Sequence, residues 1–433
     1  MNKCSLLSIA GVSAFSALTY AAQNPNVLLI IADDMGLDAS RCYSMGDQQA
    51  NMPNLEAMCA ESLVFENAYS APVCSPTRAT IMTGEYGFRT GVGAAIPPSG
   101  GNGLEPNGQS LFDVLEQSDY ATNLIGKWHL ADNQDKLDQP KKFNVDDYWG
   151  LFKGGIKDYF TWTAIHDAKR ESVDEYATTA ITNRALDWIG EQQQPWFLWL
   201  AYNAPHTPFH IPPQNLHSAG ELNDDPQYIK SHPLAYYNAM LEALDSEMGR
   251  LLSSLEPKVR ENTVVMFIGD NGSPNQVTRG LYGDHAAKGT IYDSGTHVPF
   301  IVSGANIRAD RTQAFVQTTD LYTTIASFAG VKAVTPDAYN FQPVFAGKPA
   351  QRDYIYVEHF SDDKSQAKPK DVFGWALRME DYKLLQPDGQ PASLFNLADD
   401  PKEQVDLLAD GVSDQEQKIV DQLQQRFNEI RAQ

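Results

Sequence analysis

Cys74-Ser75-Pro76-Thr77-Arg78 joins a nucleophilic side chain to a helix start. Pro76 has its φ fixed and no N–H to donate, which suits a first helical turn. Ser75 reads as the N-cap just before it. Arg78 lies one turn further on, near enough to send its guanidinium back towards Cys74. A side chain at position 74 then sits where free N–H groups and the helix dipole favour negative charge. Asp33-Asp34 and Asp270-Asn271 offer four oxygen-donating side chains, a set suited to a hard cation, Ca²⁺ first and Mg²⁺ second. Each pair alone is also ordinary turn or capping chemistry. Lys127 and His129 flank Trp128, and in an extended segment they share a face. A cation beside an imidazole can hold an anionic nucleophile and move its proton. His206 sits in Pro205-His206-Thr207-Pro208, a backbone stiffened by two prolines, and Lys288-Gly289 follows a Gly-rich loop. A structural loop and a solvated lysine explain those two equally well.

The elements that must position these residues are legible as apolar runs. Residues 27–32 form a continuous apolar run, as expected of a strand buried on both faces, and comparable, mostly apolar runs recur at 121–125, 196–201 and 263–268. Each ends in one of the polar groups above. Helical patterns at 172–191 and 234–255 lie between them. Strands alternating with helices predict an α/β fold with a central, mostly parallel sheet, and ligands bind such sheets at the strand ends. Residues 131–170 are rich in charge, Gly and aromatics and read as a long excursion over the active face. A change near residues 341–352 opens a smaller C-terminal α+β unit. Its short strands, at 354–358, 373–379 and 383–385, predict a short antiparallel sheet, and a final helix spans 412–430 with Ser413 as its N-cap. The expected division is a signal peptide at 1–21, a catalytic domain at 22–345 and a C-terminal subdomain at 346–433.

The order Asp-Asp-x-Gly, Cys-x-Pro-x-Arg, Gly-Lys-Trp-His, Pro-His-x-Pro, Asp-Asn-Gly and Lys-Gly resembles that of the type I sulfatases, in the alkaline phosphatase superfamily. The resemblance runs from about Pro25 to Pro299. Leu394-Phe395-Asn396-Leu397 with Asp400-Pro401-Lys402-Glu403 resembles the family's C-terminal subdomain. It implies an alkaline-phosphatase-like α/β sandwich and a sulfuric ester hydrolase. Cys74 would be oxidised to formylglycine by a formylglycine-generating enzyme, and its hydrate would attack sulfur. Asp33, Asp34, Asp270 and Asn271, with position 74, would bind Ca²⁺. Arg78 and Lys127 would steady the hydrate, and His129 would deprotonate its remaining hydroxyl. His206 and Lys288 would hold the sulfate, with His206 the acid for the leaving oxygen. In related zinc phosphatases a His follows the second-strand Asp; Asn271 stands there, against a zinc pair. One motif departs from the pattern. The family often continues Lys-Gly with Glu-Gly-Gly-x-Arg-Val-Pro, and here Asp293-Ser294-Gly295-Thr296-His297-Val298-Pro299 follows. His297 is a candidate structural or substrate contact.

Composition bounds the partners. A formal charge of −22 excludes a nucleic-acid role, which needs a basic surface. It is awkward for an enzyme of anions, although local cations can still focus one into a pocket. The same charge predicts a preference for short sulfated oligosaccharides over long polyanions, narrowed by salt. Lys3, the apolar stretch 6–18 and a cut after Ala21 make a signal peptide, so the mature protein is expected to be periplasmic or secreted, with no membrane association. The stretch is short for a span. Cys4 leaves with it, and Cys42, Cys59 and Cys74 remain. Cys42 and Cys59 could pair, but the sequence does not favour that bridge. Trp149, Trp162 and His166, with Arg89 and His210, are candidate sugar contacts. The substrate expected is a sulfated carbohydrate. Rival readings are a phosphatase or phosphonate monoesterase on the same scaffold, an arylsulfatase of small aryl sulfates, a cysteine hydrolase using Cys74 itself, and a non-catalytic sulfated-glycan binder.

Overall fold

The computed structural model describes residues 24–132, 136–304, 307–361, 367, 368 and 370–433. The signal-peptide reading and Cys4 lie outside the described residues. Strands β1 (Asn26–Ala32), β2 (Leu63–Tyr69), β3 (Ala121–Gly126), β4 (Asp147–Gly150), β5 (Trp162–His166), β6 (Lys169–Val173), β7 (Trp196–Ala201), β8 (Thr263–Gly269), β9 (Phe300–Ser303) and β10 (Asp310–Gln317) form one sheet. Their order is β10-β2-β9-β8-β1-β7-β3-β4-β5-β6. The run β8-β1-β7-β3-β4 is parallel throughout, and antiparallel pairs flank it on both sides.

All seven residues of β1 are buried, because both sheet faces are covered. Val27, Leu29 and Ile31 pack on one side with helices Cys74–Thr83 and Thr318–Phe328. Leu28, Ile30 and Ala32 pack on the other with helices Ala177–Glu191 and Pro233–Ser254. The expected α/β sandwich is therefore present, and the C-terminal ends of β1, β3, β7 and β8 converge on one edge of it.

The smaller unit is an antiparallel sheet of β11 (Ile355–His359), β12 (Gly374–Met379), β13 (Tyr382–Pro387) and β14 (Ser393–Asn396), as expected. Helix Asp414–Ala432 closes it, capped by a Ser413–Glu416 capping box.

Four expectations need correction. Residues 147–173 are not a loose excursion: β4 pairs with β3, and the β5–β6 hairpin extends the sheet edge. The hairpin turn, Asp167-Ala168, has both residues at positive φ without the Asn-Gly signal that marks such turns. Helix Ala177–Glu191 begins later than the pattern at 172, since Ser172 and Val173 belong to β6. Ser75 is not an N-cap; the helix starts at Cys74, and the Ser75 hydroxyl instead accepts the Ile96 N–H at 3.1 Å. Finally, Cys42 and Cys59 form a disulfide, with Cα atoms 6.1 Å apart. The chain between them folds back through helix Pro53–Ala60, a proximity that spacing alone does not report.

Candidate active site

Four strand ends and one helix start build the site. After β1, Asp33 is fully buried and Asp34 turns at φ 71°. After β8, Asp270 and Asn271 are fully buried. The Asp34 N–H donates to Asp270 Oδ1 at 2.9 Å, and Asn271 Nδ2 donates to Asp34 Oδ1 at 2.9 Å. Thr77 of the helix donates its hydroxyl to the Asp270 carbonyl at 2.7 Å. That bond pins the helix start, and with it Cys74, over the two acidic strand ends. The Cys74 thiol donates to Asp33 Oδ1 at 3.4 Å and receives Lys288 Nζ at 3.5 Å.

Three cations match the three carboxylates. Lys127 Nζ donates to Asp33 Oδ2 at 2.6 Å, Arg78 Nη2 to Asp270 Oδ2 at 2.9 Å, and Lys288 to Asp34. Lys127 reaches Asp33 because Gly126 lets β3 run close to β7. Gly126 has φ 109°, and a Cβ there would stand 1.9 Å from the Ala201 carbonyl oxygen. Arg78 is turned towards the Asp270 carboxylate and the Lys127 carbonyl, at 2.8 Å.

Burial and charge split the ionisation of these groups. Burial alone would raise Asp34, but Lys288, His206 and Lys127 together hold it well below the usual carboxylate range. Burial and then the facing Asp33 push Asp270 up to about 6 despite Arg78. Burial pushes the Cys74 thiol up to about 12, so an unmodified Cys74 is a thiol at neutral pH and a poor nucleophile. This weakens the cysteine-hydrolase reading.

The two histidines come from β3 and β7. His129 is not in an extended segment; its φ is 56°, so it does not share a face with Lys127 by simple alternation. Its Nε2 lies 2.9 Å from the Ile96 carbonyl oxygen, which can only accept. The neutral ring therefore carries its proton on Nε2, leaving buried Nδ1 as an acceptor with no protein partner. Burial, then Lys127, hold this ring well below its usual pKa. His206 is the reverse tautomer: Nδ1 donates to the Thr207 carbonyl at 2.7 Å, and Nε2 stands 3.8 Å from Asp34 Oδ2. Burial lowers it to about 3, with Lys288 and Lys127 adding to the shift and Asp34 opposing it.

The donor set fits a hard cation. Asp33, Asp34, Cys74 and His206 place one ligand-type atom each within 4.8 Å of one another. Buried Asn271 Oδ1 has no partner, although an amide oxygen normally finds one. Bound M²⁺ would give three carboxylates and three cations a surplus of positive charge, favourable to a sulfate ester.

The predicted sugar contacts divide. Trp149 and Trp162 are buried and pack edge to face with ring centroids 5.3 Å apart, their N–H groups taken by Glu171 and the Glu175 carbonyl. His166 lies between Asp147 and Glu171 at 3.3 and 3.2 Å, at the sheet edge. Arg89 pairs with Asp337 at 2.8 Å and donates to the Ile430 carbonyl, tying the C-terminal helix down. His297 stacks on Tyr69 at 4.6 Å and donates to the Glu66 carbonyl, a structural contact. These five are engaged in packing, a role that residue type could not separate from ligand contact. His210 stands three residues beyond Thr207 and is half-buried.

Other residues of the site went unassigned in sequence. Asn203 is buried with both side-chain polar atoms unpartnered, and its backbone oxygen accepts the His206 N–H at 2.9 Å. Its place in Tyr202-Asn203-Ala204-Pro205-His206 was the available signal. The carbonyl of Ile96 fixes the His129 tautomer. The C-terminal subdomain reaches Lys288 through its neighbour: the Gly289 carbonyl accepts the Val372 N–H at 2.9 Å and faces His359 Nδ1 at 3.0 Å.

A family model described as sulfatase matches residues 25–331, and one described as N-sulphoglucosamine sulphohydrolase, C-terminal, matches residues 282–433. The N-acetylgalactosamine-6-sulfatase of Canis lupus familiaris is 29% identical over 75% of this chain and 65% of its own length, so the chain spans a little under two thirds of that relative. The uncharacterized sulfatase YidJ of Escherichia coli is 25% identical, over 94% of this chain and 88% of its own. The solved structure of Ps i-CgsB in complex with k-i-k-neocarrahexaose is 26% identical, with a TM-score of 0.79, covering 94% of this chain and 92% of its own.

Proposed function

The chain belongs to the sulfatase family, and from that premise we propose that it is a sulfuric ester hydrolase that removes sulfate from a sulfated saccharide, using formylglycine made from Cys74 and a bound Ca²⁺. The observation that carries the reading is Cys74 itself: a buried, protonated thiol at a helix start, ringed by Asp33, Lys288 and His206. As a thiol it has little use there. Converted to formylglycine, it supplies a hydrated aldehyde, one hydroxyl attacking sulfur and the other, once deprotonated, expelling sulfate as the carbonyl re-forms.

Asp33, Asp34, Asp270 and Asn271 would hold the Ca²⁺, which supplies charge neutralisation for a sulfate oxygen. Lys127 and Arg78 orient the acidic strand ends against position 74. His129, neutral with Nδ1 open, takes a proton from the remaining hydroxyl. Lys288 and His206 bind the sulfate oxygens. The arriving anion opposes the Lys288 and Lys127 fields on His206 and raises its proton affinity, so that it can protonate the leaving oxygen. Preorganised positive charge is worth most in such a water-poor pocket.

The saccharide assignment draws on the relatives, one named for a sulfated amino sugar and one crystallised with a neocarrahexaose. The Cys42–Cys59 disulfide fits an oxidising, exported setting. No helix among the described residues is long and apolar enough to cross a membrane.

The test combines mass spectrometry with activity. In a host with the maturation enzyme, the Cys74 peptide should lose sulfur and two hydrogens and gain one oxygen. The matured protein should release sulfate from defined sulfated oligosaccharides, lose that activity on chelation and regain it with Ca²⁺ better than Zn²⁺. Full activity with intact Cys74 would overturn the reading, as would activity confined to phosphate esters.

A further inference from the structure

Loop 153–160 touches both catalytic imidazoles through bare backbone. A Cβ at Gly154 would lie 2.4 Å from the His129 ring, and one at Gly155 would lie 3.4 Å from His206 Cε1. The backbone at residues 154 and 155 therefore runs against both rings, and the exposed residues 153, 157 and 160 lie within a few positions of that contact. Tyr159 anchors it there, donating its hydroxyl to the Asn203 carbonyl at 2.8 Å and the His206 carbonyl at 2.6 Å.

Beside this anchor lies an aromatic ledge. The Tyr159 ring lies 4.3 Å from His210, and Phe160 lies 5.8 Å from His210 and 5.2 Å from Tyr176. Phe160 is 43% exposed, one of five large apolar side chains so exposed among the described residues and the only one whose chain neighbour bonds the His206 loop. The same loop carries Lys153 and Lys157, both exposed and without an ion pair among the described residues. Its acid, Asp158, is turned back on the chain, accepting the Phe160 N–H at 2.7 Å. Asp158 also acts on His210, so the loop sets two lysines against one acid, a local excess of positive charge beside the anion site on a chain of net charge −22.

We propose that loop 153–160 with His210 is the subsite for the sugar next to the sulfated one, Phe160 stacking on its C–H face and Lys153 and Lys157 binding a second anionic group on it, a carboxylate or a sulfate. The inference rests on the sulfated-saccharide reading above. A sugar ring covers exposed aromatic surface without stranding its hydroxyls, which stay in water at the ring edge. Lysine suits an anion whose position varies, being a flexible point charge with three donors.

The test compares matured wild type with F160A, a K153M/K157M double variant and a K153R/K157R double variant. The substrates are 4-nitrophenyl sulfate and three sulfated disaccharides matched except at the neighbouring sugar: neutral, carboxylate-bearing or sulfate-bearing. F160A should lower kcat/KM on all three disaccharides by about 10- to 100-fold, and on 4-nitrophenyl sulfate by less than about 3-fold. K153M/K157M should lower it about 10-fold on the anionic disaccharides only, with K153R/K157R restoring most of it. The larger of the two anionic losses identifies the group. Equal losses on every substrate, or disaccharide rates unchanged in both F160A and K153M/K157M, overturn the subsite. A wild type that cleaves the aryl sulfate and no saccharide instead overturns the saccharide reading beneath it, and the two failures are told apart by wild type alone.

Discussion

Of two clusters of buried charge, one lies within the large domain and the other at its seam with the C-terminal sheet, and only the first is built for a ligand. In the active site, Asp33, Asp34 and Asp270 face Lys127, Lys288 and Arg78. At the seam with the C-terminal sheet, Asp293 and Glu403 face Lys383 and Arg378. Lys383 Nζ stands 2.6 Å from Asp293 and 2.9 Å from Glu403. Ionisation does not distinguish them. In the site, Asp34 is held low and burial pushes Asp270 up to about 6; in the seam, Lys383 holds Asp293 low against its burial, and burial pushes Glu403 up to about 7. Open valence does. In the seam, Asp293 Oδ1 accepts Lys383, Asp293 Oδ2 accepts Tyr69 at 2.7 Å and Glu403 Oε2 accepts the Asp293 N–H at 2.6 Å; Glu403 Oε1 alone lacks a hydrogen-bond donor, and the Lys383 ammonium stands 2.9 Å from it. In the site, Asn271 Oδ1, His129 Nδ1, Arg78 Nε and both polar atoms of Asn203 are buried with no protein partner. A perturbed carboxylate marks a buried network; several unfilled polar atoms gathered around one point mark a place for something else.

The sharpest way to break this contrast is to alter one carboxylate in the open cluster. Asp270→Asn keeps the shape and removes the charge that meets Arg78 and completes the cation set. We expect kcat/KM to fall at least about 10³-fold on aryl and saccharide sulfates alike, about 4 kcal/mol of transition-state stabilisation. Arg78 keeps the Lys127 carbonyl at 2.8 Å as an acceptor, but the buried pair loses one charge, so stability should also fall, by up to about 3–5 kcal/mol, and activity is read on protein shown to be folded. More than a tenth of wild-type activity would place Asp270 in a structural network like the seam.

The matching change in the closed cluster is Lys383→Met, which strands Asp293 and Glu403 in a buried setting. Loss of one partner from a buried pair costs about 3–5 kcal/mol, read by denaturant unfolding. Below its transition, the folded variant should keep kcat within about threefold of wild type. A collapse of kcat in folded protein would mean that the seam acts on Lys288 through the Gly289 clamp, and the two clusters would be one device.

The open cluster was the more legible of the two in sequence. Its residues sit at the ends of mostly apolar runs, and the parallel sheet had to bring those ends to one edge. Motif order then assigned roles to Cys74, Lys127, His129, His206 and Lys288. The seam was not legible: Asp293, Lys383 and Glu403 are far apart in sequence, and each alone reads as a solvated charge. The same limit explains Trp149, Trp162, His166, Arg89 and His297. Residue type proposes a ligand contact, while only packing reveals that the ring or guanidinium is already occupied. Phe160 and Lys153 escaped for the opposite reason, since an exposed aromatic and a loop lysine carry no spacing signal. The Cys42–Cys59 bridge depends on the path of the intervening helix, which its spacing does not encode.

The smallest expected effect tests whether the seam is silent in catalysis at a second point. Glu358 on β11 accepts the Phe88 N–H at 2.8 Å and the Tyr356 hydroxyl at 2.9 Å, joining the C-terminal sheet to the catalytic domain. Burial pushes it up to about 7, above an unfolded value of about 4.3. Between those values the folded chain holds a proton that the unfolded chain has released. Stability is therefore greatest below about pH 4.3 for this group, falls as pH rises to about 7, and stays lower above. Glu358→Gln resembles the protonated acid and cannot ionise, so it should remove that slope. At pH 8 the variant should be more stable than wild type by on the order of 1 kcal/mol, and at pH 4 the two should coincide. Sulfate release should be unchanged at both. A variant that matches wild type at pH 8 would mean that Glu358 ionises freely in the fold. One that loses activity while gaining stability would show that the seam trades rigidity against catalysis, and the division into an open and a closed cluster would fail.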